Sequence, residues 1–189
     1  MSRRRKQLEG CQSTKIVGKP SLRELVRDYI RCRRPAARKE LSDFRSEPSL
    51  ERAIDRAARA EDVNGLRFDH QRLIKRSSIA RAPSAFGGAV DQFRSCKTFD
   101  ELHTTVGEIA REVGGLGELY IYDTALRIGA YRRLSPTTVY MHAGTREGAK
   151  KFVKPGSRVA IPVAEFPPEM QELSADEIEN FLCTYRRYF

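Results

Sequence analysis

Four short stretches carry residue types suited to chemistry. The first is Gly114-Gly115-Leu116-Gly117. Glycine lets a backbone turn sharply and approach a ligand with no side chain in the way. A helix beginning directly after such a turn leaves its first N–H groups unbonded and pointing at an anion such as a phosphate. That contact supplies affinity without reading sequence. The second stretch is His142-Ala143-Gly144-Thr145-Arg146-Glu147-Gly148-Ala149-Lys150-Lys151. Thr145 as a helix cap, beside Arg146, Lys150 and Lys151, reads as a second anion site. His142 is a candidate general base at neutral pH, with Asp123 or Glu147 as the local carboxylate to orient it. The third is Asp123 itself, an acid among Tyr120, Ile121 and Tyr122. It is expected to be half buried and paired with Arg127 one turn on. The fourth is Asp69-His70-Gln71-Arg72, whose side chains suit phosphates or base edges. Each stretch also has an ordinary structural reading: a hairpin closed by glycines, a hydrogen-bonded histidine, an ion pair that fixes packing, a solvated polar turn.

Other chemistries lack their residues. Cys11, Cys32, Cys96 and Cys183 are widely spaced, and His70, His103 and His142 are scattered. No metal site is expected from them, and no disulfide in a reducing compartment. There is no G-x-x-x-x-G-K-S/T loop, and the glycines at 114–117 do not follow a strand, so no nucleotide cofactor is expected. The aromatic signature of sheet-based RNA-binding modules is missing as well.

The elements that must position these residues are mostly helical. Ser21 and Glu24 form a capping box ahead of Leu22, Leu25, Val26, Tyr29 and Ile30 at helical spacing. Pro35 and Pro48 suit the starts of a second and third helix, the third ending near Asn64-Gly65. Residues 77–84 read as a linker, and 84–96 as a helix with Phe86, Val90 and Phe93 on one face. Thr98 and Glu101 form another capping box, opening the clearest helix (Phe99, Leu102, Val106, Ile109, Val113). The next runs from about Glu118 to Tyr131. Ser135-Pro136 is a further helix start. Thr145 begins a short helix through Lys151, Val159–Val163 is extended, and Ser174 with Glu177 opens the last helix. Eight or nine helices and little sheet are expected, with a core around Phe99, Leu102, Val106, Leu119, Leu126, Ile178 and Leu182.

The segment from Phe99 to Arg133 resembles helix-hairpin-helix DNA-binding proteins. In that family a helix ends at a Gly-apolar-Gly turn, matched by Gly115-Leu116-Gly117, and a second helix follows at once. The usual small residue four positions after the second glycine is Ile121 here, with Ala125 a turn later. A weaker resemblance extends to DNA glycosylases of the same superfamily, where a later helix bears a catalytic aspartate. In Thr137–His142 that place falls to Tyr140, and Glu118–Ala125 holds no lysine. The resemblance therefore implies a binding protein without glycosylase activity.

Charge points the same way. The 189 residues carry +10, and residues 1–94 hold 23 Lys and Arg against 12 Asp and Glu, while the remainder is close to neutral. Such asymmetry suits a polyanionic partner. The fold expected is mainly α, an orthogonal multi-helix domain containing a helix-hairpin-helix-like unit with a basic helical N-terminal arm. Residues 1–20 form a flexible basic tail, 21–82 the basic helical subdomain, and 83–189 the core domain with its hairpin at 99–133. The function expected is nucleic-acid binding, DNA above RNA, through Gly115, Gly117, Arg111, Arg127, Arg132, Arg133, Thr145, Arg146 and Lys150. An enzyme acting on a nucleic acid or phosphorylated substrate near Asp123, His142 and Arg146 is the second reading. A helical protein-interaction subunit is the third. No apolar run spans a membrane and no signal core follows the basic N-terminus, so a cytoplasmic protein with no membrane partner is expected.

Overall fold

A computed structural model describes residues 20–189; the tail expected over 1–20 lies, but for Pro20, outside the described residues. The element order is α1 (Leu22–Cys32), α2 (Arg34–Arg45), α3 (Leu50–Arg59), α4 (Arg76–Gly87), α5 (Val90–Ser95), α6 (Phe99–Val113), α7 (Glu118–Arg132), β1 (Thr138–Tyr140), α8 (Ala143–Ala149), β2 (Ala160–Pro162) and α9 (Ala175–Tyr185). The described chain is mainly helical, with nine α-helices and one antiparallel pair of three-residue strands in the register Val139 to Ile161. None of these helices is long and apolar enough to cross a membrane.

Local chemistry explains most of the boundaries. Ser21 caps α1 through a full capping box, its hydroxyl accepting from the Glu24 N–H and its own N–H donating to the Glu24 carboxylate. At α6 the box is only half made. Thr98 Oγ1 accepts from the Glu101 N–H, but the Glu101 carboxylate turns instead to the N–H of Lys97. The third helix stops earlier than Asn64-Gly65, at Ala60 in the left-handed region. Asn64-Gly65 instead lies in the turn that closes a bridge between Glu61 and Arg67.

Three expectations are corrected. Residues 77–84 are not a linker but part of α4, with Pro83 inside it. Proline removes one ladder hydrogen bond, and the burial of Ile79, Ala82 and Phe86 offsets that loss. The helix expected over 84–96 therefore shrinks to α5. Ser135-Pro136 leads into β1, not a helix, because Thr138, Val139 and Tyr140 are β-branched or aromatic and find a partner strand in Ala160–Pro162. Third, Cys96 and Cys183 are free, but Cys32 is disulfide-bonded, against the reading of the spacing.

The apolar residues sort into two clusters. One is built from α2 to α7 and includes Phe44, Ile54, Phe86, Phe93, Leu102 and Tyr120. The other joins Leu25, Val26 and Tyr29 of α1 to Val139, Met141, Phe181 and Leu182 of the C-terminal region. Phe99, Leu102, Val106, Ile178 and Leu182 are buried as expected, while Leu119 and Leu126 are half-buried. The boundary expected at residue 82 falls within α4, and both clusters draw on residues either side of it or far from it. The basic arm is also tied down: Arg34 and Arg38 both bond to the buried carboxylate of Glu177 on α9, at 2.8 and 3.0 Å.

Candidate nucleic-acid interface

The turn between α6 and α7 is where backbone chemistry is most exposed. Gly114 and Gly115 both have positive φ, 73° and 75°, a region L side chains rarely adopt. Leu116 tucks into the core at 8% exposure. Gly117 is the N-cap of α7, in an extended conformation, with no side chain capping the helix. Gly117 and Glu118 are exposed. The first turn of a 15-residue helix thus presents free N–H groups and the positive end of its dipole to solvent.

A second segment frames that turn. His70 and Gln71 bond to Asp123 on α7, and Ser78, at the start of α4, presses on the hairpin: a Cβ on Gly115 would stand 2.6 Å from its hydroxyl. The chain from 71 to 78 therefore runs back along the N-terminal half of α7. Arg81, one turn further on, donates to the carbonyl of Val113 at the end of α6. Between the two anchor points, Arg72, Leu73, Lys75 and Arg76 are exposed. None of the three cations pairs with a carboxylate among the described residues. Arg111, in the last turn of α6, is exposed as well, its guanidinium lying beside Gly107, while the exposed Glu112 and Glu118 put negative charge at the same hairpin. The sequence reading reaches the start of this strip through Asp69-His70-Gln71-Arg72 but does not extend it to Lys75-Arg76, for which the close-set cations were the available signal.

The expected site residues divide sharply. Gly115, Gly117 and Arg111 sit together at the hairpin. Arg127 does not reach the surface: it is 1% exposed, bonds to Glu40 at 2.8 Å and approaches Asp123 at 3.7 Å. The expected Asp123–Arg127 pair is therefore present, but Arg127 is corrected from ligand contact to interior ion partner. Arg132 donates to the carbonyls of Phe93 and Cys96, closing the end of α5. Arg133 is exposed but caps α7 at its far end, about 22 Å from the hairpin at 1.5 Å per residue. Neither flanks the glycine turn.

The second anion site is not assembled. His142, not Thr145, is the N-cap of α8. Thr145 is fully buried, its hydroxyl bonded to His142 Nε2 and to Glu179. Arg146 spends its guanidinium on the carbonyls of Met141 and Gly156, and Lys150 pairs with Glu147. A tight α8–α9 packing explains the burial: a Cβ on Gly144 would meet Cys183 Sγ at 2.8 Å, and one on Gly148 would meet the Leu182 carbonyl oxygen at 2.3 Å.

Asp123, His142 and Arg146 do not converge. His142 bonds to Glu179, 37 residues away, instead of Asp123 or Glu147. Asp123 bonds to His70, Gln71 and Arg127. Burial pushes its pKa up, but the charges of Arg127, His70 and His142 with the His70 hydrogen bond outweigh this and hold it below the usual carboxylate value. The Cys183 thiol is pushed up to about 11 by burial and by Glu179, so it stays protonated at neutral pH. Tyr140, at the place of the glycosylase aspartate, lies on β1 and donates to Asp100. No cluster of metal-ligating side chains occurs among the described residues. Comparison with protein-family models, curated proteins and solved structures finds no match to the chain.

Proposed function

We propose that this protein binds nucleic acid, duplex DNA in the first instance, by gripping a backbone phosphate at the glycine hairpin. The observation that carries the reading is the uncapped, exposed N-terminus of α7 directly after Gly115-Leu116-Gly117, with four exposed cations on the neighbouring segments, Arg72, Lys75, Arg76 and Arg111, that form no ion pair among the described residues. Backbone N–H groups and the helix dipole take the phosphate, and the cations release counterions as they neutralise neighbouring charges. The helices α1 to α3 contribute less than the sequence charge implies, because Arg34, Arg38, Lys39, Arg56 and Arg59 are already paired.

Gly117→Asp tests the reading cleanly. Gly117 has ordinary extended φ and ψ, and a Cβ there meets nothing within 4 Å. Aspartate is also a favoured N-cap, so the variant folds at least as stably as the wild type. Its carboxylate would occupy the same N–H groups and repel phosphate. Fluorescence anisotropy with a short duplex is expected to show salt-steep binding by the wild type and a loss of at least tenfold in the variant. Each phosphate contact removed lowers the salt slope by about one. Equal binding by Gly117→Asp removes the hairpin from the interface.

A further inference from the structure

Resting on that reading, we propose that His70 is a stacking platform for an unpaired base, so that the preferred ligand is DNA in which a base stands free of its pair. A column of alternating cations and rings leads to this residue. The Arg56 guanidinium lies 3.8 Å from the centre of the Phe44 ring, and Arg127 lies 5.9 Å from Phe44 on the way to Phe68, whose ring centre it approaches at 3.9 Å. Phe68 in turn stacks on His70, with ring centres 5.8 Å apart and planes 25° apart. Every member before His70 is buried or half-buried. The His70 side chain is 46% exposed, and the column ends there, open to solvent.

The ring is held ready for a flat partner. Phe68 lies in an offset stack beside it, and Nε2 is fixed to Asp123 Oδ2 at 2.7 Å. Asp123 is itself anchored by Gln71 and Arg127. Little rotamer freedom remains to be lost on binding, which is the condition under which an aromatic contact contributes most. Nucleic-acid bases are the flat ligands that the surrounding charge selects, since Arg72, Lys75 and Arg76 follow His70 on the same exposed strip. Leu73, 89% exposed, is an apolar side chain within the same strip. A base inside an intact duplex has both faces taken by its neighbours, and an unpaired base leaves that stack at least cost, so it is the base most readily offered to the ring.

The experiment compares full-length protein on two duplexes, one fully paired and one with a single unpaired 2-aminopurine. The wild type is expected to bind the second about tenfold more tightly and to change the 2-aminopurine fluorescence on stacking. His70→Gln, whose amide nitrogen can take the place of Nε2 toward Asp123 but which loses the ring, is expected to bind both duplexes equally. His70→Phe, which keeps the ring and loses the bond, is expected to retain the preference. Equal affinities in the wild type, or a preference that survives in His70→Gln, overturn the platform while leaving phosphate binding intact. Loss of preference in both variants assigns His70 to holding the strip through Asp123 and likewise overturns it. If neither duplex binds at low salt, the nucleic-acid reading itself fails, and the platform with it.

Discussion

Single residues decide how close the segments around the hairpin come. Gly115 is the sharpest case, because its positive φ and the Ser78 hydroxyl each exclude a side chain. Gly115→Ala is expected to lower unfolding free energy by about 2 kcal/mol, combining backbone strain with the overlap. Urea denaturation will check this, and Ser78→Ala in the same chain should recover part of the loss, because it removes the overlapping oxygen and leaves the strain. Arg127 shows the opposite lesson. A cation in a sequence window reads as a phosphate ligand, yet here it is enclosed by Phe44, Phe68, Glu40 and Asp123. Charge is visible in a sequence; whether the charge is already spent is not.

At the scale of elements, what could be read depended on how local the signal was. The capping residues Ser21, Thr98 and Ser174 mark the starts of α1, α6 and α9, and the apolar spacing of α6 and α7 fixes the hairpin between them. These signals act over three or four residues. β1 was illegible because its partner lies about 20 residues on, and α4 because Pro83 outweighed a buried face that only α3 and α6 reveal. The candidate site was half legible for the same reason. The glycine turn is local, whereas the bonds from His70 and Gln71 to Asp123 join residues more than 50 apart. The packing of α8 on α9 is similarly hidden, and it yields a test. Gly148→Ala places a methyl 2.3 Å from the Leu182 carbonyl, a backbone atom that has no rotamer to escape into. Overpacking of this kind costs about 1–3 kcal/mol, so a lowered thermal midpoint is expected, with faster hydrogen exchange in α8 and α9.

In the molecule as a whole, the N-terminal helix belongs with the C-terminal core. Leu25, Val26 and Tyr29 pack with Val139, Phe181 and Tyr185, and the Tyr185 hydroxyl donates to Asp28 across 157 residues of sequence. Leu25→Ala is therefore expected to cost about 2–5 kcal/mol and to weaken amide protection in residues 139–149 and α9 more than in α6. Uniform loss across both clusters would mean that they unfold as one unit.

That long closure has a consequence during synthesis. The ribosome delivers α1 well before the residues that cover it, and at 5–20 residues per second the wait is roughly 10–30 s. Through that interval Leu25, Val26 and Tyr29 form an apolar stripe on a nascent chain with no mate. Until α9 has been made, α1 is exposed to chaperones without its cover, and the second core closes only after that helix emerges.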